Sequence, residues 1–229
     1  MLGVLAPGSI ARACGISGPN GVWSCSLEEH EEETRLRWTL GVASSYTRTN
    51  LKFTDGLRAG QSRVSLVATG AYALTRRFSL RASAGAALAG ELRAPEGNHE
   101  LTPGPVAALG ADYRLLDAPA FLLLGATLSG TTTRTQRGDA REHYSAFDLR
   151  LGAALGLTFF ESLSPYALLR VFGGPVFWRY AGSARSGTDR YHYQVGLGLA
   201  WLIAEHVNLV VEGSPLGERS LSGAVAAVF

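Results

Sequence analysis

From Arg35 to the last residue, large apolar side chains recur at every second position. A period of two puts them on one face of a strand and leaves the other face to a different environment. In the run RLRWTLGV the apolar set is Leu36, Trp38, Leu40 and Val42, opposed by Arg35, Arg37, Thr39 and Gly41. The clearest run sets Phe147, Leu149, Leu151, Leu155, Leu157 and Phe159 against Asp148, Arg150, Gly152, Ala154, Gly156 and Thr158. Comparable runs begin near Val64, Phe78, Leu109, Leu169, Tyr191 and Val207, a less regular one is AFLLLGATLSGTTT, and the chain closes on LSGAVAAVF. Together they predict ten strands.

Which face meets which solvent follows from side-chain size. The polar face is built of Gly, Ala, Ser and Thr with scattered Arg, Asp and Glu, too small and too uncharged for a surface in water and suited to a cramped interior. Only 17% of the residues are charged, against roughly 25% in soluble domains, and the mean hydropathy is +0.09. No window reaches the ~18 uninterrupted apolar residues of a membrane helix, whereas several strands reach the ~9 to 11 residues that cross a bilayer at a tilt. The connections alternate too. The polar stretches TDGLRAGQ, RAPEGNHELTPG, TRTQRGDAREHY, GSARSGTDR and SPLGER alternate with the short TRR, LDAP, ESLS and AEH. Long loops on one side and tight turns on the other mark a transmembrane barrel, and closure is what satisfies strand backbones in lipid.

The expected fold is therefore an all-β, closed, antiparallel up-and-down transmembrane barrel over residues 35–229, with about ten strands, short periplasmic turns and longer extracellular loops. Residues 1–34 read as a leader or flexible N-terminal segment. Ala11-Arg12-Ala13 is like an A-x-A cleavage site, without the basic start of an export signal. Cys14 and Cys25 lie in this segment with no CxxC or Cys/His spacing, which argues against zinc; a disulfide in an oxidising compartment and two unpaired thiols both remain open. Aromatic residues near strand ends, Trp38, Tyr113, Phe159, Phe160, Tyr166, Phe177, Tyr191, Tyr193 and Trp201, suggest interfacial girdles.

With these strands, connections and the terminal LSGAVAAVF, the chain resembles the small outer-membrane β-barrels of Gram-negative bacteria, of the OmpA, OmpX and OmpW kind. The resemblance implies residence in the bacterial outer membrane, among its lipids and lipopolysaccharide. It also implies that the barrel-assembly machinery reads the last strand, where Leu221, Val225 and Phe229 occupy matching positions.

For function, the lumen-facing charges come first: Arg81, Glu91, Asp112, Arg114, Asp148, Arg150, Arg170 and Glu212. They could line a selective pore or pair across the interior and plug it. A ten-stranded barrel is only slightly wider than the eight-stranded kind that side chains fill, so the expected role is structural or that of a narrow channel, its lumen plugged by paired charges. The alternative is a lipid-modifying enzyme. His143-Tyr144-Ser145 resembles the His-x-Ser of outer-membrane lipid A deacylases, with Glu142 as an orienting acid, and Asp189 with His192 offers a second acid and base pair at a rim. Neither constellation is specific enough to assign a catalytic residue. Arg137-Gly138-Asp139 matches an adhesion tripeptide by composition, and no loop ligand follows from it. The net charge of +2 rests on arginine, with Lys52 the sole lysine; without a basic stripe interleaved with aromatics, nucleic acid is not an expected partner. No metal spacing or phosphate loop appears, so neither a metal nor a cofactor is expected.

Overall fold

The computed structural model describes residues 13–17, 22–26, 38–116, 119–160 and 162–229. Arg35, Leu36 and Arg37 of the first alternating run, and most of the segment read as a leader, lie outside the described residues. Strands β1 (Ala13–Ser17) and β2 (Val22–Ser26) form a hairpin whose register sets Cys14 opposite Cys25. The wall follows: β3 (Trp38–Phe53), β4 (Arg58–Ala73), β5 (Phe78–Ala94), β6 (Gly97–Leu101), β7 (Gly104–Leu116), β8 (Ala120–Arg137) and β9 (Ala140–Leu157). It continues through β10 (Leu163–Gly173), β11 (Val176–Tyr180), β12 (Ser183–Asp189), β13 (Tyr193–Ala204), β14 (Val207–Gly217) and β15 (Arg219–Val228).

Ten of these strands, β3-β4-β5-β7-β8-β9-β10-β13-β14-β15, pair antiparallel in succession. β15 then returns to β3, with Val225 opposite Val42, and closes the ring. The Phe229 amide donates to the Trp38 carbonyl at 2.8 Å and the Trp38 amide to the Phe229 carbonyl at 3.1 Å, so the last residue is hydrogen-bonded to the start of the wall. β1 lies against β4, β5, β7 and β8, and β2 against β13, β14 and β15. Those are opposing arcs, so the hairpin lies across the ring.

The wall changes strand number part-way up. β14 and β15 turn back at Gly217, whose φ of 77° suits a residue without a Cβ, while their neighbours continue. Above that turn β12 pairs directly with β3, Gly187 opposite Phe53 and Asp189 opposite Leu51. The lower tier therefore has ten strands and the upper tier eight, in the order β3-β4-β5-β6-β8-β9-β11-β12.

The polar stretches expected as long extracellular loops are largely strand. TRTQRGDAREHY is the top of β8 and β9 joined through Gly138 and Asp139, GSARSGTDR is mostly β12, and SPLGER is the tight turn between β14 and β15. Their polarity has a different cause, visible in the faces. Along the lower part of β3, Trp38, Leu40 and Val42 are exposed and Ala43 and Ser45 point inward; higher up, Arg48, Asn50 and Lys52 are exposed while Leu51 and Phe53 are buried. The parity never breaks, but the chemistry of the two faces is exchanged. On β9, Leu149, Leu151 and Leu155 are likewise exposed below His143, with Tyr144 buried beside it. The 18 residues of β9 rise roughly 45 Å at ~3.3 Å per residue and a ~40° tilt, beyond a lipid belt of ~25 Å. The outside of the wall passes from lipid to water where this exchange occurs.

The exposed Leu, Val, Phe and Trp form a continuous apolar belt, far larger than a monomer in water presents, and it is the lipid-facing surface. Trp38, Tyr113, Phe159, Phe160, Tyr193 and Trp201 stand on it, whereas Phe177 is exposed on the outer face of β11 in the upper tier. Tyr166 is buried in the lumen, and its ring lies over Gly198, where a Cβ would come within 2.2 Å of it. The small residues of the inner face thus make room for the few large ones.

Candidate functional site in the lumen

Inward-facing residues stack in three layers, in the same order on facing strands: Ala154, Arg150 and Tyr144 going up β9, and Ala43, Thr47 and Phe53 going up β3. The lowest layer is apolar, with Ala43, Val67, Phe121, Leu123, Leu168 and Val210 in contact.

The middle layer is ionic. Arg170 of β10 donates from Nη1 to Glu212 Oε1 of β14 at 2.6 Å and from Nη2 to Oε2 at 2.8 Å, and reaches Gln194 Oε1 of β13 at 2.9 Å. Gln194 passes the network to Ser220 at 2.8 Å, and the Tyr166 hydroxyl lies 3.4 Å from Glu212. Arg81 Nε of β5 stands 3.5 Å from Asp112 Oδ2 of β7, and its Nη2 donates to Thr127 at 3.0 Å. Arg114 is buried beside them on β7. The longest reach belongs to Arg150 of β9. Its two terminal nitrogens meet the Glu218 carboxylate at 2.7 and 2.9 Å, Nε bonds Asp148, and the guanidinium lies 4.5 Å from the Phe172 ring centre.

Of the eight lumen charges expected from parity, seven point inward and one does not. Glu91 lies on the outer side of β5, paired with Arg93. A β-bulge between β4 and β5 leaves Leu88 unpaired, with Val64 opposite Ala89 and Ser65 opposite Ala87. That extra residue reverses the facing of everything above it. In exchange, Glu218 joins the lumen unannounced. It sits in the turn expected to be an outer loop, and no periodicity marks it. Gly217 before it is the only local signal, the residue a tight hairpin prefers.

Above the ionic layer lies an aromatic one, formed by Phe53, Tyr144, Trp178 and Tyr180 with Leu51 and Leu92. Trp178 and Tyr180 ring centres are 4.5 Å apart, Phe53 and Trp178 5.8 Å, and His99 stands edge-on to Trp178 at 5.1 Å. Two polar ends are satisfied: Trp178 Nε1 donates to Thr135 at 3.1 Å, and the Tyr144 hydroxyl to Gln61 at 3.1 Å. Burial pushes the Tyr144 phenol above its usual range. Between the two layers is a polar cavity of about 40 Å³ lined by Thr47, Arg63, Asp148, Arg150, Asp189 and Glu218, room for a few water molecules. Asp189, above the lipid belt on β12, accepts from Thr49 Oγ1 at 2.7 Å. Burial, and then the charge of Glu218, push its carboxyl up to about 6 against that hydrogen bond.

The enzymatic constellations fare differently. His143 and Ser145 lie on the outer face of β9, with Ser145 Oγ 3.3 Å from His143 Nδ1. Glu142 has the opposite parity and accepts from the Gly182 amide at 3.2 Å, so it does not orient His143. The neighbour of His143 on β8 is Arg134. His192 lies 3.1 Å from the Phe172 carbonyl, and Asp189 faces the lumen, so those two do not form a rim pair. Arg137-Gly138-Asp139 forms the tip of the β8–β9 hairpin. Among the described residues no group of His, Cys, Asp and Glu has the arrangement of a metal site.

No protein-family description and no curated protein sequence matches this chain. Solved structures do match. The outer membrane protease OmpT of Escherichia coli has a TM-score of 0.52 at 11% identity, over 88% of this chain and 99% of that one. The β domain of the Bordetella autotransporter BrkA gives 0.49 at 13% identity, over 83% and 99% of the two chains. Neisserial surface protein A gives 0.43 at 11%, over 84% and 97%. Identities this low speak to fold alone, and the OmpT likeness agrees with the closed ring and the apolar belt. In fold, the chain is an outer-membrane β-barrel.

Proposed function

We propose that this protein is a structural barrel of the outer membrane whose lumen is closed by its own side chains. The observation that carries the reading is the bidentate pair from Arg150 on β9 to Glu218 in the β14–β15 turn, which ties separate arcs of the wall together across the bore. A buried pair of this geometry, with Asp148 and Phe172 also engaged, costs several kcal/mol to break from one side. The aromatic layer above it, anchored by Trp178, adds a second barrier of apolar rings. The turns at the end carrying Trp38 and Phe229 face the periplasm, and the aromatic layer faces outward.

The test is conductance in planar bilayers. The unaltered protein should be silent, and Glu218→Ala combined with Trp178→Ala should open steps. Large steady conductance in the unaltered protein would replace the plug with an open pore. A lipid-hydrolase reading has one observation in its favour, the Ser145 to His143 contact on the outer face. It lacks an orienting carboxylate. Fatty acid released from lipopolysaccharide by the refolded protein, and lost in Ser145→Ala, would make that reading the better one.

A further inference from the structure

Just above the lipid belt, one seam of the outer wall sets cations directly beside one another. On the outer face, Arg48 of β3 stands directly opposite Arg219 of β15, and Lys52 of β3 directly opposite Arg58 of β4. Arg190 joins them, because its amide donates to the Asn50 carbonyl at 2.7 Å and so sets it beside the residue midway between Arg48 and Lys52. All five side chains are exposed. Directly opposite positions bring Cβ atoms to about 4.5–5.5 Å, and like charges there are destabilising. Two such pairs along β3 favour a bound anion.

Among the described residues, none supplies one. Asp55 in the turn above is taken by Arg185, and Glu91 on β5 by Arg93. The outer positions of β3, β12 and β15 carry no carboxylate. The height of the patch identifies what does. Tyr46 precedes Arg48 on the outer face of β3 and Leu221 follows Arg219 on that of β15; both are exposed and belong to the apolar belt. The cations therefore begin where acyl chains end, at the level of headgroups. Arginine is the side chain best matched to phosphate, through two parallel N–H donors.

We infer that the seam formed by Arg48, Arg219, Lys52, Arg58 and Arg190 is a binding site for the phosphate groups of lipid A, the phosphorylated glycolipid of lipopolysaccharide. The inference rests on the outer-membrane reading above and adds to it a specific place on the wall. Acyl chains would lie along Tyr46 and Leu221, and the phosphates would bridge the two like-charge pairs. Binding then relieves repulsion that the empty wall carries.

The experiment uses the refolded full chain in zwitterionic detergent, titrated with labelled bisphosphorylated lipid A, with the same lipid dephosphorylated, and with inorganic pyrophosphate as competitor. Bisphosphorylated lipid A should bind, and Arg48→Gln/Arg219→Gln should weaken it at least tenfold. Lys52→Gln/Arg58→Gln, on the second pair, carries the same expectation and serves if the first variant does not fold. Arg134→Gln/Arg179→Gln, on another arc, should leave binding within twofold. Equal binding of the dephosphorylated lipid, or equal loss in the Arg134/Arg179 variant, would overturn the site. Competition by pyrophosphate at the same concentration as the lipid would assign the cations to a free anion instead. Heat-modifiable migration of each protein is recorded alongside, so that failure of the barrel reading, a chain that never migrates as a compact form, is distinguishable from failure of the site.

Discussion

Single residues in this wall are governed by which side of a thin sheet they occupy. Glu91 and Glu218 make the contrast: the first was expected inside and lies outside with Arg93, the second was expected in a loop and lies in the lumen on Arg150. Glu218→Ala leaves a buried guanidinium with only Asp148 and should cost about 3 kcal/mol. Glu91→Ala, at a part-exposed outer pair, should stay within about 0.5 kcal/mol. Urea unfolding in detergent micelles separates the two. Asp189 adds a pH signature. Its folded carboxyl is raised from 3.8 to about 6, so the folded chain holds that proton more tightly than the unfolded one. The ionised group therefore opposes folding above pH 6, and the opposition fades as pH falls from 6 toward 3.8. Asp189→Asn should be more stable than the parent at pH 7.5, by about 1 to 2 kcal/mol after discounting, and equal to it at pH 4. A gain that persists at pH 4 would assign the effect to packing.

At the scale of the strand, the period of two was readable because side-chain facing in a strand has no slack: Trp38 to Val42 and Phe147 to Phe159 face as the alternation requires. Two things were not readable from it. Leu88 is an ordinary apolar residue in sequence, and nothing local marks it as the extra residue of a bulge that flips Glu91. The exchange of faces along β3 was written in the sequence, since Leu51 and Phe53 have the opposite parity to Leu40 and Val42, but a reading that equates apolar with lipid-facing takes it for the start of a loop. The same inversion hides the aromatic layer, because Trp178 lies inward on β11 while Phe177 lies outward. Leu151, exposed in mid-belt on β9, tests the facing directly. Arg introduced there should cost about 2 to 4 kcal/mol, measured by reversible unfolding into urea from lipid vesicles. In β15 the exposed Leu221, Val225 and Phe229 share the outer face while Ala226 is buried. Deleting Phe229 should reduce insertion by the assembly machinery far more than Ala226→Ser does, scored by protease resistance of the inserted barrel. Equal losses would remove the signal role from the outer face of that strand.

For the molecule as a whole, the decisive feature is the change from ten strands to eight. At ~4.8 Å between strands and a ~40° tilt, a ten-stranded ring is about 20 Å across its backbone and an eight-stranded one about 16 Å. The wall is thus a bottle, with its body in the membrane and its neck in the water above. Trp178 and its neighbours cluster inside the neck, and the ionic layer sits at the shoulder where Glu218 turns inward. In terms of traffic, the closure proposed above leaves the body as the one approach to the cavity. A small solute that reached the polar cavity from the body would have to pass the apolar layer and the ionic layer. Exchange with the cavity should therefore answer to changes at the periplasmic end and ignore the outer surface, as a flask answers to its mouth and not to its base.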